Sequence, residues 1–394
     1  MYFDNAATTQ VIKEVYEEMI PYLDEVYGNP GSPHKYGLKA NEAVEIARER
    51  VADLLFCKPN NVIFTSSGSE ANSIAITGLA DYLKSIGKTH IITDLGEHES
   101  VIQSFEYMKK LGFDITYIGI DECGKADILQ LERAVNDKTG LICIMYSNNE
   151  LGYANDIEFI SDFCRNRKIM FHCDCVQAAL GYNINAQLFD SCSVSGHKIH
   201  APKGAGALYL KDKSKYKSIT FGGEQEFGLR PGTQNVSGIV GLGKAAEYIR
   251  ENNEKIRECI KNLADIFYEG VSNIPNTKVV YNRQFSKVIS VFVGGVDAMS
   301  LVLNLSNNNV FVSAGAACSS HDVSPSRVLI AAGRSKDEAS STIRVSFSEL
   351  NTKEEVYSSI KVFERQIENL RSIGDDDSFE QDETTETEFG DKPP

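Results

Sequence analysis

The sequence predicts an α/β fold in two parts: a large unit on a mostly parallel sheet and a smaller α+β unit. Three observations lead there. Helix-like and strand-like patterns alternate through the first two-thirds of the chain, and the strand segments are short and apolar throughout. After one long helical stretch, strands return in a second group. At 394 residues and 42% hydrophobic, the chain is long enough to bury two cores.

In order, Ala40 to Leu55 reads as an amphipathic helix and Val62-Ile63-Phe64-Thr65 as a short buried strand. Further strands are expected at His90 to Thr93, Ile115 to Ile118, Leu141 to Tyr146 and Lys168 to Cys173, with helical stretches between them. From about Val236 a long helix is expected to run towards Tyr268, with Gly270 as its stop signal. Strands follow at Lys278 to Tyr281, Val288 to Val293 and Ile343 to Phe347. A last amphipathic helix sets Val356, Ile360, Phe363 and Ile367 on one face. There are no internal repeats.

Charge narrows the class. The net charge is −15, and nine acids stand against one base between Gly374 and Pro394, so the rest carries about −7. That end is too polar to bury, and the expectation is a disordered, solvating tail; a docking segment for a basic partner is the alternative. No basic stripe speaks for direct nucleic-acid binding. Apolar runs such as Leu141 to Tyr146 fall far below the roughly 18 residues of a membrane span. The opening Met1-Tyr2-Phe3-Asp4-Asn5 has neither basic region nor apolar signal core, so a cytoplasmic protein is expected. The nine cysteines show no metal-ligand spacing, and most sit among apolar neighbours as small hydrophobes.

The chemistry concentrates around Lys198, in Ser195-Gly196-His197-Lys198, and around Asp174, 24 positions upstream. A lysine amine after small polar residues, with a carboxylate at a preceding strand end, suits pyridoxal phosphate (PLP). The lysine holds the aldehyde as a Schiff base, and the acid keeps the pyridine nitrogen protonated. A surface lysine is the bland reading, but Gly196 and Lys203-Gly204-Ala205-Gly206 leave little side-chain cover. Gln177, one turn after Asp174, can donate to the ring's phenolic oxygen. Thr65-Ser66-Ser67-Gly68-Ser69 follows a strand and opens a helix, a place for a phosphate or simply a capped helix. His98 could lie flat on a planar ring, or be a loop residue. Cys318 stands in Ser313-Ala314-Gly315-Ala316-Ala317-Cys318-Ser319-Ser320, a run without bulky anchors that would expose a reactive thiol.

Five ordered segments carry a resemblance: Tyr2 to Thr9, Gly28-Asn29-Pro30, Ser147-Asn148-Asn149-Glu150, Ser195 to Lys198 and Arg230-Pro231-Gly232-Thr233. Together they resemble the NifS/IscS-type cysteine desulfurases, from residue 2 to about 370. That resemblance implies the PLP fold type I, with a seven-stranded sheet in a large domain at 15–243. It implies a small domain from 1–14 and 244–372 carrying the cysteine loop, with 373–394 as the tail. It implies that Lys198 binds the PLP aldehyde, Asp174 meets the ring nitrogen, Gln177 the ring oxygen, and His98 stacks and serves as an acid/base. Gly68, Ser69, Ser195 and His197 would hold the phosphate, joined by Thr233 of a second subunit in a homodimer. Asn149 and Arg344 would take the carboxylate of L-cysteine. Cys318 would collect the sulfur as a persulfide for a protein acceptor, in iron–sulfur assembly, tRNA thiolation or DNA phosphorothioation, and release L-alanine. The rival enzyme reading is a selenocysteine lyase or other PLP-dependent β-eliminating enzyme. Glu224 and Phe227 depart from the family's usual glycine and basic residue, and Ser69 replaces a frequent threonine while keeping the hydroxyl.

Overall fold

A computed structural model of the chain describes residues 1–315 and 325–376; Cys318 and residues 377–394 of the acidic stretch lie outside them. Eleven strands are formed among the described residues: β1 Val62–Thr65, β2 His90–Asp94, β3 Asp114–Ile118, β4 Thr139–Cys143, β5 Met170–Asp174, β6 Ser191–Ser195, β7 Gly206–Leu210, β8 Thr277–Val280, β9 Val288–Val293, β10 Ser313–Ala314 and β11 Thr342–Ser346.

The first seven make one sheet in the order β1-β7-β6-β5-β4-β2-β3. β7 runs antiparallel to both β1 and β6, while every other pairing is parallel. Six strands therefore point one way, and their C-terminal ends share one edge. Every residue of β1, β2, β4, β5, β6 and β7 is buried, as a sheet covered by helices on both faces requires. The expected strand 141–146 ends earlier, at Cys143. β6 (Ser-Cys-Ser-Val-Ser) and β7 were not expected as strands. The serines read as turn residues, and pairing with β5 and β7 overrides that preference.

The expected long helix is Val236–Val271, and it does not stop at Gly270. Gly270 is a contact glycine: a Cβ there would lie 2.6 Å from Ile360 Cδ1, on the last helix, Lys353–Asp376. Close approach of two helices, not termination, uses the missing side chain. The last helix also runs to Asp376, past the expected start of the tail at 373.

β8 to β11 form an antiparallel sheet ordered β10-β11-β9-β8. The N-terminal segment adds to it through bridges Tyr2–Phe311 and Asp4–Ser346. An aromatic ladder locks this region together: Phe3–Phe347 at 5.5 Å, Phe347–Phe267 at 5.7 Å and Phe267–Phe363 at 5.2 Å between ring centroids. No helix among the described residues is long and apolar enough to cross a membrane.

Candidate active site

Residues converge on the shared C-terminal edge of the large sheet, around a cavity of about 960 Å³. Gly68, Ser69, His98, Asn149, Asp174, Gln177, Ser195, His197, Lys198 and Arg344, each expected from sequence, all line it. Thr233 does not; it is exposed on the turn before Val236–Val271.

Each wall has a local cause. After β1, Ser67 caps the helix Gly68–Thr77, its Oγ accepting Glu70 N–H at 3.1 Å. A Cβ on Gly68 would lie 2.6 Å from Val176 Cγ2 and 3.3 Å from Ser195 Cβ, so only glycine keeps this helix end open. Ser195 Oγ is buried with no hydrogen-bond partner among the described residues. Burial first, then Lys198, Lys203 and Lys287, push the His197 ring down to about 4, so it stands neutral at pH 7 amid a cationic field. An open helix N-terminus, an orphan hydroxyl and nearby cations fit a phosphate.

Asp174 ends β5, nearly buried. Its Oδ2 accepts from Asn72 Nδ2 at 2.7 Å, and its Oδ1 accepts Val176 N–H at 2.9 Å. Lys198 follows β6 on the turn Gly196–Lys198, and its Nζ donates to the carbonyls of Ala6 and Ala7, each at 2.6 Å. Gln177 Nε2 also donates to Ala6 O, at 3.0 Å, while its Oε1 finds no partner among the described residues. The N-terminal segment is thus a wall of the site. Thr9 pins it by donating its Oγ1 hydrogen to His197 O and accepting His200 N–H. Its small residues Ala6-Ala7-Thr8-Thr9 were the available signal, since they permit close backbone approach to Lys198.

Arg344 on β11 is 3% exposed. It reaches Asp4 Oδ1 at 3.0 Å and Asn149 O at 3.1 Å, and its Nε has no partner among the described residues. A buried guanidinium with a donor to spare suits an incoming carboxylate. Asn148 builds the turn that presents Asn149: its Oδ1 accepts the N–H of Glu150 and Leu151, and its Nδ2 donates to Gly96 O. Sequence reading did not find Asp4 as the partner of Arg344.

A cluster of acids also went unassigned from sequence. Burial, followed by neighbouring Asp94 and Asp174, pushes Glu97 well above the usual carboxylate range. Asp94 rises to about 7, again chiefly through burial. Arg327 donates to the carbonyls of Leu95 and Glu97, bracing the turn that carries His98. His98 caps the helix Glu99–Lys110, with its Nδ1 accepting Ser100 N–H at 3.1 Å.

The profile of the aminotransferase class-V family matches residues 1–358. The chain belongs to that family. A curated relative named cysteine desulfurase IscS, from Neisseria meningitidis, is 38% identical over 380 residues, covering 95% of this chain and 93% of the relative. A solved NifS-like protein superposes with a TM-score of 0.87 at 33% identity, covering 94% of this chain and 99% of that one. A structure titled SspA in complex with cysteine gives a TM-score of 0.77 at 35% identity, over 89% of this chain and 99% of that one. Within the class-V family the chain is of the NifS/IscS cysteine desulfurase type. Its fold is that of the PLP-dependent, fold-type I enzymes, and PLP is the family's cofactor.

Proposed function

We propose that this chain converts L-cysteine and the Cys318 thiol to L-alanine and a Cys318 persulfide. One observation carries the assignment: Lys198, Asp174 and Arg344, from sequence positions up to 170 apart, line one cavity whose unsatisfied polar atoms match a phosphate and a carboxylate. When bound, PLP supplies an aldehyde that takes up amines and a ring that absorbs the electrons of a broken bond. Lys198 would hold that aldehyde between turnovers, and its amine would move the substrate's α-proton. Asp174 would meet the ring nitrogen. Gly68, Ser69, Ser195 and His197 would hold the phosphate, and Gln177 the ring oxygen. Arg344, with Asn149, fixes the cysteine carboxylate and so sets the direction of the Cα–H bond.

Cys318, outside the described residues, attacks the substrate sulfur as its thiolate. The new S–S bond forms as the C–S bond breaks, and the carbon that loses sulfur gains a proton, giving alanine. A free thiol is mostly protonated at pH 7, and His98 is the acid/base group lining the cavity that serves this step. Exposed Thr233 fits a residue lent to the phosphate site of a second copy, so the complete unit is a homodimer. The persulfide passes to a protein acceptor in the cytoplasm. A division into a large domain at 15–243 and a small one from 1–14 and 244–372 accords with the N-terminal strand bridges to the second sheet.

Alanine and persulfide assays on Cys318→Ala test this reading. Loss of alanine formation from cysteine is expected; full cysteine turnover without Cys318 would favour the β-eliminating lyase reading instead.

A further inference from the structure

Asn72 stands where the hydrogen bonds behind Asp174 and His98 cross. It is 1% exposed on the helix Gly68–Thr77, and its Nδ2 donates to Asp174 Oδ2 at 2.7 Å and Ser100 Oγ at 2.9 Å. An amide nitrogen has two hydrogens, so both are used. The reverse amide orientation would set oxygen against a carboxylate, so Asp174 fixes the flip. Oδ1 is left as an acceptor, 3.0 Å from His172 Nε2, and His172 Nε2 must therefore carry the hydrogen. Burial pushes the fully buried His172 down to about 4, so the ring stays neutral at pH 7. Its Nδ1, 2.8 Å from Ser191 Oγ, then accepts the serine hydrogen.

On the other side, Ser100 Oγ accepts from Asn72 and lies 2.8 Å from His98 Nδ1. Nδ1 already accepts the Ser100 backbone N–H at 3.1 Å, so it is an acceptor and Ser100 Oγ donates its own hydrogen to it, leaving Nε2 as the ring nitrogen this network does not use. From Ser191 through His172, Asn72 and Ser100 to His98, the donors fit in one direction only.

We propose that Asn72 is a positioning residue that holds Asp174 and His98 as a single unit, with His172 fixing the amide from behind. The proposal rests on the roles given above to Asp174 and His98. It divides the network into two arms. Asn72 serves both Asp174 and His98, whereas the Ser100 hydroxyl serves His98 alone.

The experiment uses PLP-loaded enzyme, with three readouts: PLP release on dialysis, the pH titration of the visible band, and the pH profile of kcat/KM. Asn72→Ala should release PLP about tenfold faster, the scale of one buried hydrogen bond left unmade, and should shift the band's titration. Ser100→Ala should retain PLP within about twofold and keep the band's titration, while one limb of the kcat/KM profile moves. His172→Phe, which removes the donor behind the amide, should repeat the Asn72→Ala band shift more weakly, and it decides the matter if Asn72→Ala does not fold. Wild-type PLP retention and band titration in Asn72→Ala, or in His172→Phe, would overturn the proposal. So would Ser100→Ala releasing PLP as fast as Asn72→Ala. Asp174→Ala is the control: unaltered PLP retention and titration there would sink the underlying reading of Asp174 itself.

Discussion

Arg344 has more N–H donors than the fold consumes. Asp4 and Asn149 each take one hydrogen of the two terminal nitrogens, Nε has no partner among the described residues, and Arg344 lines the cavity. Arg344→Gln should therefore raise KM for cysteine by about 30- to 100-fold, the worth of charge-assisted hydrogen bonds, with a smaller fall in kcat. Steady-state kinetics check this, and an unchanged KM would remove Arg344 from the substrate site. Lys287 makes a second case. It is 4% exposed, its Nζ has no hydrogen-bond partner among the described residues, and burial with Lys198 nearby pushes its amine down to about 7. Between pH 7 and the ordinary value near 10.5, the unfolded chain holds this proton and the native chain does not, so stability rises with pH across that window. Below pH 7 the native state carries a buried ammonium at full cost. Lys287→Met should stabilise the fold by on the order of 2–4 kcal/mol at pH 6, with the gain shrinking at pH 9. Urea denaturation at the two pH values gives the answer; a pH-independent difference would mean that the amine does not titrate as stated.

At the scale of elements, one buried ion pair holds the segment that leads to Thr233. Arg48, on the helix Lys35–Leu54, meets Glu226 at 2.7 and 2.9 Å, and Glu226 also accepts Phe64 N–H of β1 at 2.8 Å. Glu226 and Phe227 both sit at positive φ, 47° and 60°, a conformation that costs energy in side-chain-bearing residues and needs such an anchor. Phe227, the departure noted from sequence, covers Lys213, whose Nζ lies 3.2 Å from the ring centroid. Glu224, the other departure, is exposed. Glu226→Gln leaves the buried Arg48 charge with only the half-exposed carboxylate of Glu45, 3.2 Å from its Nε, and should cost about 3 kcal/mol in chemical denaturation. A loss below 1 kcal/mol would show that the pair does not anchor the turn.

At the scale of the whole molecule, six strands of one direction bring loops from distant sequence to one edge, and the second sheet brings Arg344 against them. Removing residues 377–394 takes away seven acids and one base and none of the residues given a role in the site. Cysteine turnover should stay within about twofold of the full chain, since exposed charge acts weakly across a screening length of about 8 Å. A several-fold fall in alanine production would tie the stretch to the catalytic body.

Lys198, Asp174 and the turn that opens the helix Gly68–Thr77 were readable in the sequence because each depends on neighbours a few positions away. A strand end, a run of small residues and a helix start are all local patterns. The alternation of apolar strands with helices likewise carried the fold class. Asp4 beside Arg344, Asn72 between Asp174 and His98, and the charge state of Lys287 were not readable, because each pair is joined only by folding, across 26 to 340 positions. Gly270 marked the helix end to within one residue, but its close approach to Ile360 of the last helix was not readable, again because the partner is brought there only by folding. Local chemistry is written residue by residue, whereas hydrogen-bond partners and desolvation are properties of the packed chain.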